Sequence, residues 1–122
     1  MLEDMAHVLA FIPDLLFGSR VQAALLAAGH EIELVSDADA VADRLADKDV
    51  LVVDLTDERL RGVELVESLS AKGLPGGVRT LGFYSHVDVE ARVSAERAGF
   101  DLVVPRSRMA REGATLVAGL LS

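Results

Sequence analysis

Val50-Leu51-Val52-Val53-Asp54-Leu55 is a continuous apolar run, rich in β-branched residues, that closes on a carboxylate and gives way at Gly62 to a helical pattern. A run of this kind without polar alternation reads as a strand buried on both faces, as in a parallel sheet covered by helices. Such a strand delivers Asp54 at its carboxyl end. Working outward, further apolar runs fall at His7 to Ile12, Glu31 to Val35, Val78 to Tyr84 and Phe100 to Val104. Amphipathic segments separate them. The first is expected over Leu15 to Ala28, with Asp14 as its N-cap, Phe17, Val21 and Leu25 along one face, and Gly29 at its end. The others are expected over Ala38 to Ala46 behind Asp37, Leu60 to Ala71 ahead of Gly73 and Pro75, Val89 to Ala98 ahead of Gly99, and Arg108 to Leu121. Five strands alternating with five helices imply right-handed crossovers and a parallel sheet with helices on both faces.

The chain of 122 residues is long enough for one domain with its own core, and its 51% hydrophobic content argues against disorder. Cys is absent, which excludes disulfides and thiolate metal sites. The first apolar stretch follows Glu3 and Asp4 and is interrupted by Pro13-Asp14, a pattern wrong for a signal peptide or a membrane span, so a cytoplasmic location is expected. A net charge of −8 opposes approach to phosphate backbones, and no basic cluster offsets it. Neither nucleic acid nor a membrane is an expected partner.

In open parallel sheets, ligands and chemistry collect beyond the carboxyl ends of the strands. The residues there are Ile12-Pro13-Asp14 after the first strand, Asp54 after the third, Ser85 after the fourth and Arg106 after the fifth. Their order and spacing, with Gly62 and Gly99 between them, resemble the receiver domain of bacterial response regulators over essentially the whole chain. The segment from Asp54 to Leu65 matches that family's phosphoacceptor strand and the start of its next helix, and Ala98-Gly99-Phe100-Asp101 is similar to its turn into the last strand. The resemblance implies a flavodoxin-like (βα)5 three-layer sandwich with a five-stranded parallel sheet in the order 2-1-3-4-5. Asp54 then stands at the phosphoacceptor position, Ser85 at the hydroxyl that responds to phosphorylation, and Arg106 at the place of a basic residue.

Departures from the family pattern carry the functional expectation. Receivers have two acidic residues at the end of the first strand, where this chain has Ile12 and Pro13, which supply no side-chain oxygen for Mg²⁺. Asp14 is one position too far along, unless a shifted loop swings it in. Arg106 replaces the usual Lys, and its rigid fork favours pairing with Asp54, or with a rim carboxylate such as Asp14 or Asp57. Ser107 stands where the family has proline, and Val103 where it has an aromatic switch residue. The expected function is therefore a degenerate receiver-like module of residues 1–122, with no output domain, no enzymatic activity and no cofactor, that signals by binding a protein such as a histidine kinase or a downstream effector. One alternative is a working phosphoaccepting receiver of a two-component phosphorelay, holding Mg²⁺ through Asp14, Asp54 and a backbone carbonyl. A second is a flavodoxin-like nucleotide-binding protein or enzyme, which the apolar and acidic loop Ile12 to Phe17 makes a poor host for phosphate.

Histidine and alanine positions complete the reading. His86 beside Ser85 is expected to be a solvated loop residue, and His7 and His30 lie at strand entrances away from the site. In the last helix Met109, Leu116, Val117 and Leu120 can face the sheet, while Ala110, Ala114, Ala118 and Leu121 form a second stripe of mostly small groups. That stripe, with the fourth helix, is a candidate homodimer or partner interface.

Overall fold

A computed structural model of the protein describes residues 5–121, so Glu3 and Asp4 lie outside the described residues. In chain order come β1 (His7–Phe11), α1 (Leu15–Ala27), β2 (Glu31–Val35), α2 (Ala38–Arg44), β3 (Val50–Asp54), α3 (Gly62–Lys72), β4 (Arg79–Tyr84), α4 (Val89–Ala98), β5 (Leu102–Pro105) and α5 (Arg106–Leu120). Every strand pairing is parallel, and the sheet runs β2-β1-β3-β4-β5, the expected order. No helix among the described residues is long and apolar enough to cross a membrane.

Side-chain parity along β3 divides the core into two layers. Val50 and Val52 join Phe17, Val21, Leu25, Met109 and Val117 under α1 and α5, whereas Leu51 and Val53 join Val41, Val66, Leu69 and Ala95 under α2, α3 and α4. A strand whose neighbours lie on both sides and whose faces are both covered has no solvated position, which is why its pattern is continuous instead of alternating. Asp54 follows the even parity and so projects towards the α1 and α5 layer. Gly82, in the middle of β4, is required by close approach: a Cβ there would lie 2.7 Å from Leu55 Cδ1 and 2.9 Å from Phe100 Cε2.

Local signals place the helix starts. Asp14 Oδ1 accepts from Leu16 N and Phe17 N at 3.0 and 3.1 Å, Asp37 accepts from Asp39 N at 2.9 Å, and Asp88 accepts from Ala91 N at 3.0 Å. Several boundaries shift by a residue or two, β5 running from Leu102 to Pro105 where Phe100 to Val104 was expected, and three differences change the local structure. The segment expected to open the third helix at Leu60 is instead a 3-10 turn, Glu58–Leu60, and α3 starts at Gly62. Gly62 must lie against β3, where a Cβ would meet Val53 Cγ1 at 2.7 Å, and Arg61 takes a left-handed conformation at φ 53° to turn the chain into it. α2 stops at Arg44 because Leu45 is drawn into the core and the chain turns, Lys48 N donating to Leu45 O at 3.1 Å. Arg106, expected in a loop, is the first residue of α5, which follows β5 directly.

Part of the small stripe of α5 is used within the molecule. Ala110, Ala114 and Leu121 pack half-buried against the α1-side core, and Ala118 is half-buried without joining that cluster.

Candidate functional site

Asp54 is 4% exposed, and its Oδ1 accepts two hydrogen bonds from one residue: Thr56 N at 2.8 Å and Thr56 Oγ1 at 2.5 Å. Carboxylates two residues ahead of an amide commonly close such a turn, and the hydroxyl adds a second donor to the same oxygen. Sequence reasoning did not single out Thr56. The Asp-x-Thr spacing was the signal that could have found it. Burial of the carboxylate is made tolerable by these donors, and no buried side-chain nitrogen or oxygen among the described residues lacks a partner.

Arg106 does not pair with Asp54. Its NH2 lies 3.5 Å from Asp14 Oδ2, and its guanidinium carbon sits 4.3 Å from the centroid of the Phe17 ring. Both partners come from the start of α1, which packs beside α5 and places Phe17 under the guanidinium before the side chain can extend to the end of β3. Phe17 is itself held by Phe83, ring centroids 5.0 Å apart. The Arg106–Asp14 pair is half-exposed at both ends, so it contributes little to stability. The stacking on Phe17 fixes the direction of the guanidinium more than the ion pair does.

Ser85 and Thr56 line the same cavity as Arg106 and Phe17, of about 640 Å³. The Ser85 carbonyl accepts from Asp88 N at 2.8 Å, closing the turn into α4. His86, expected to be merely solvated, is exposed but also lines this cavity. Asp57 is elsewhere. It caps the 3-10 turn through Arg59 N at 2.9 Å and grips the Arg59 guanidinium at 2.8 to 3.2 Å, which holds its carboxyl below the usual range. It lines a second cavity of about 560 Å³ whose acidic walls include Glu58, Glu64, Asp88 and Glu90.

Magnesium needs hard oxygen donors in a near-octahedral set. Ile12 is 3% exposed and belongs to the apolar core, and Pro13 has no side-chain oxygen. The carboxylate of Asp14 caps α1 with one oxygen and faces Arg106 with the other. Among the described residues no three His, Cys, Asp or Glu side chains come together in a way that could hold a metal ion. The residues present do not fit the magnesium site that the resemblance implies.

The remaining histidines are structural. His30, 4% exposed, accepts from Ala6 N at Nδ1 (3.0 Å) and has Nε2 3.2 Å from Ala114 O, so one neutral tautomer satisfies both contacts. His7 Nδ1 lies 2.7 Å from Glu31 Oε2 at the opposite edge of the sheet.

No family model and no curated protein sequence matches the chain. Solved structures do. The chain is similar to the receiver domain of a Francisella response regulator, with 16% identity, 95% of this chain and 96% of that one covered, and a TM-score of 0.81. It is similar to the receiver domain of NtrX from Brucella abortus at 21% identity, covering 93% and 97%, with a TM-score of 0.76. A CheY-like response regulator receiver domain protein from Methanospirillum hungatei matches at 17% identity, covering 96% and 94%, with a TM-score of 0.80. The likeness spans nearly the full length on both sides, and the fold is that of response regulator receiver domains.

Proposed function

We propose that the chain is a receiver-like signal-transduction module that acts through protein–protein contact, without conventional magnesium-dependent phosphorylation of Asp54. The observation that carries this reading is the set of groups around Asp54. Phosphoryl transfer to a carboxylate depends on a divalent cation to neutralise the phosphoryl oxygens and bring them in line. Here the positions that would supply its ligands hold Ile12 and Pro13, Asp14 caps α1 with one oxygen and faces Arg106 with the other, and one oxygen of Asp54 is taken by Thr56. With no cation, the approach of an anionic donor to a carboxylate is repulsive.

The reading includes a cytoplasmic location and residues 1–122 working as one receiver-like domain, with no catalytic activity and no cofactor. Its partner is a histidine kinase or a downstream effector, and α4 with the turn before it is the candidate contact surface. Val87, Val89 and Val93 are exposed there while Ala95 alone is buried from α4, an apolar surface of the kind partners cover. A homodimer through α4 and α5 uses the same face.

Incubation with acetyl phosphate and Mg²⁺, followed by intact-mass measurement, tests the reading. The expected result is no phosphoryl adduct. A stoichiometric adduct that disappears in Asp54→Asn would refute it in favour of a working phosphoaccepting receiver.

A further inference from the structure

The cavity beside Asp54 has a charge opposite to that of the molecule. With 20 acidic residues against 12 Lys and Arg, an average concavity of this chain would be acidic, yet Arg20, Arg106, Arg111 and His86 line this one and no carboxylate does. The positive charge is also poorly neutralised. Arg106 reaches Asp14 only at 3.5 Å and Arg111 reaches Glu112 only at 3.9 Å, both on the surface, and Arg20 has no ion-pair partner among the described residues.

α5 adds a second, independent source of positive potential to the same wall. It is 15 residues long, and Arg106 and Ser107 at its start line the cavity. Its N-cap is Pro105, which makes no side-chain cap bond, and its first turn holds no acidic residue. The first amides of such a helix are left without intrahelical acceptors and carry the positive end of the helix dipole. Guanidinium groups and uncapped amides together match a phosphate, whose oxygens accept several directed hydrogen bonds at once.

Size separates a bare anion from a larger ligand. A volume of about 640 Å³ is within the roughly 300 to 1,000 Å³ typical of small-molecule sites. Phe17 and Ala110 provide apolar wall, and the Ser85 and Ser107 hydroxyls supply polar contacts suited to a ribose or other sugar. Asp54 is not among the lining residues. We propose that this cavity binds a small phosphate monoester of mononucleotide or sugar-phosphate size, with its phosphate held by Arg20, Arg111 and the start of α5. The site lies on walls from α1, the β4–α4 turn and α5, not on the acidic β1–α1 loop. It stands whether or not Asp54 accepts a phosphoryl group, and it would give the module an input other than covalent modification.

Titration calorimetry at fixed ionic strength, with AMP, ribose 5-phosphate, adenosine and inorganic phosphate as separate probes, tests the proposal. Saturable binding of AMP or ribose 5-phosphate, with adenosine silent, is expected. Arg20→Ala and Arg111→Ala should each weaken it roughly tenfold, the loss of one charge-assisted contact. Arg108→Ala, whose guanidinium pairs with Glu112 outside the cavity, should leave it unchanged. These arginines are exposed, so the variants are expected to fold. Three results would overturn the proposal: no saturable binding of either phosphate monoester, equal weakening by Arg108→Ala, or binding confined to inorganic phosphate.

Discussion

Replacing Thr56 by valine removes one hydroxyl at nearly constant volume and so isolates the bond of 2.5 Å that holds the Asp54 carboxylate. A hydrogen bond to a charged group contributes about 1.5 to 3 kcal/mol, against about 0.5 to 1.5 kcal/mol for a neutral one. Thr56 is itself exposed and keeps its amide bond to the same oxygen, so the lower end applies, about 1.5 to 2 kcal/mol. For a domain of this size the midpoint of thermal unfolding should fall by roughly 5 to 9 °C. Urea denaturation should show the same loss with an unchanged slope, and Thr56→Ser, which keeps the hydroxyl, should lie within about 0.5 kcal/mol of the parent. The decisive comparison repeats Thr56→Val in an Asp54→Asn background. There the acceptor is neutral, and the same substitution should cost about half as much. If Thr56→Val cost the same in both backgrounds, or nothing in either, the hydroxyl would not be what restrains the carboxylate.

His30→Leu fills the space but leaves the Ala6 amide without its acceptor, while the Ala114 carbonyl, inside α5, keeps its helical bond, and a loss of about 1 to 3 kcal/mol is expected in chemical denaturation. A loss below about 0.5 kcal/mol would mean that neither contact matters. Gly82→Ala places a Cβ into Leu55 and Phe100, both held in the core, and should destabilise by about 1 to 3 kcal/mol through overpacking. An unchanged midpoint would show that Leu55 and Phe100 move aside freely. Glu33 is bonded to Arg44 and Lys48, and the Arg44 hydrogen bond above all holds its carboxyl below the usual carboxylate range. Its contribution is therefore present above the unfolded-state carboxylate pKa and is lost as pH falls through the lower folded-state value. Stability curves of the parent and Glu33→Gln should differ at neutral pH and converge in acid, and curves that stay parallel down to strong acid would contradict the assignment.

The elements were legible because their signals are local. β2, β3 and α4 begin and end where the apolar runs and Gly99 put them. Asp54 was legible as a strand-end carboxylate for the same reason, and so was Asp14 as a cap. Arg106 was legible as a strand-end cation, with Asp14 among its candidate partners, but not in which of them it takes. Its fork can grip any carboxylate within reach, and residue type alone does not say that Phe17 and Asp14 on α1 stand nearer than Asp54. Thr56 was missed although the spacing was visible, because a hydroxyl two residues after an acid is common in turns that hold nothing.

Alone, the sequence determined the alternation of strands and helices and hence the parallel sheet. Periodicity and caps act over a few residues and need no knowledge of distant partners. It also determined the loss of oxygen donors at Ile12 and Pro13, since no packing can give an isoleucine or a proline a side-chain carboxylate. Only the tertiary structure decided which side chains meet. Arg20, His86 and Arg111 lie in separate segments of an acidic chain, and their shared cavity exists because α1 and α5 pack side by side on the face of the sheet to which Asp54 points. Such convergence is set by helix packing and sheet twist, which sum many weak contacts over the whole domain and leave no short pattern to read.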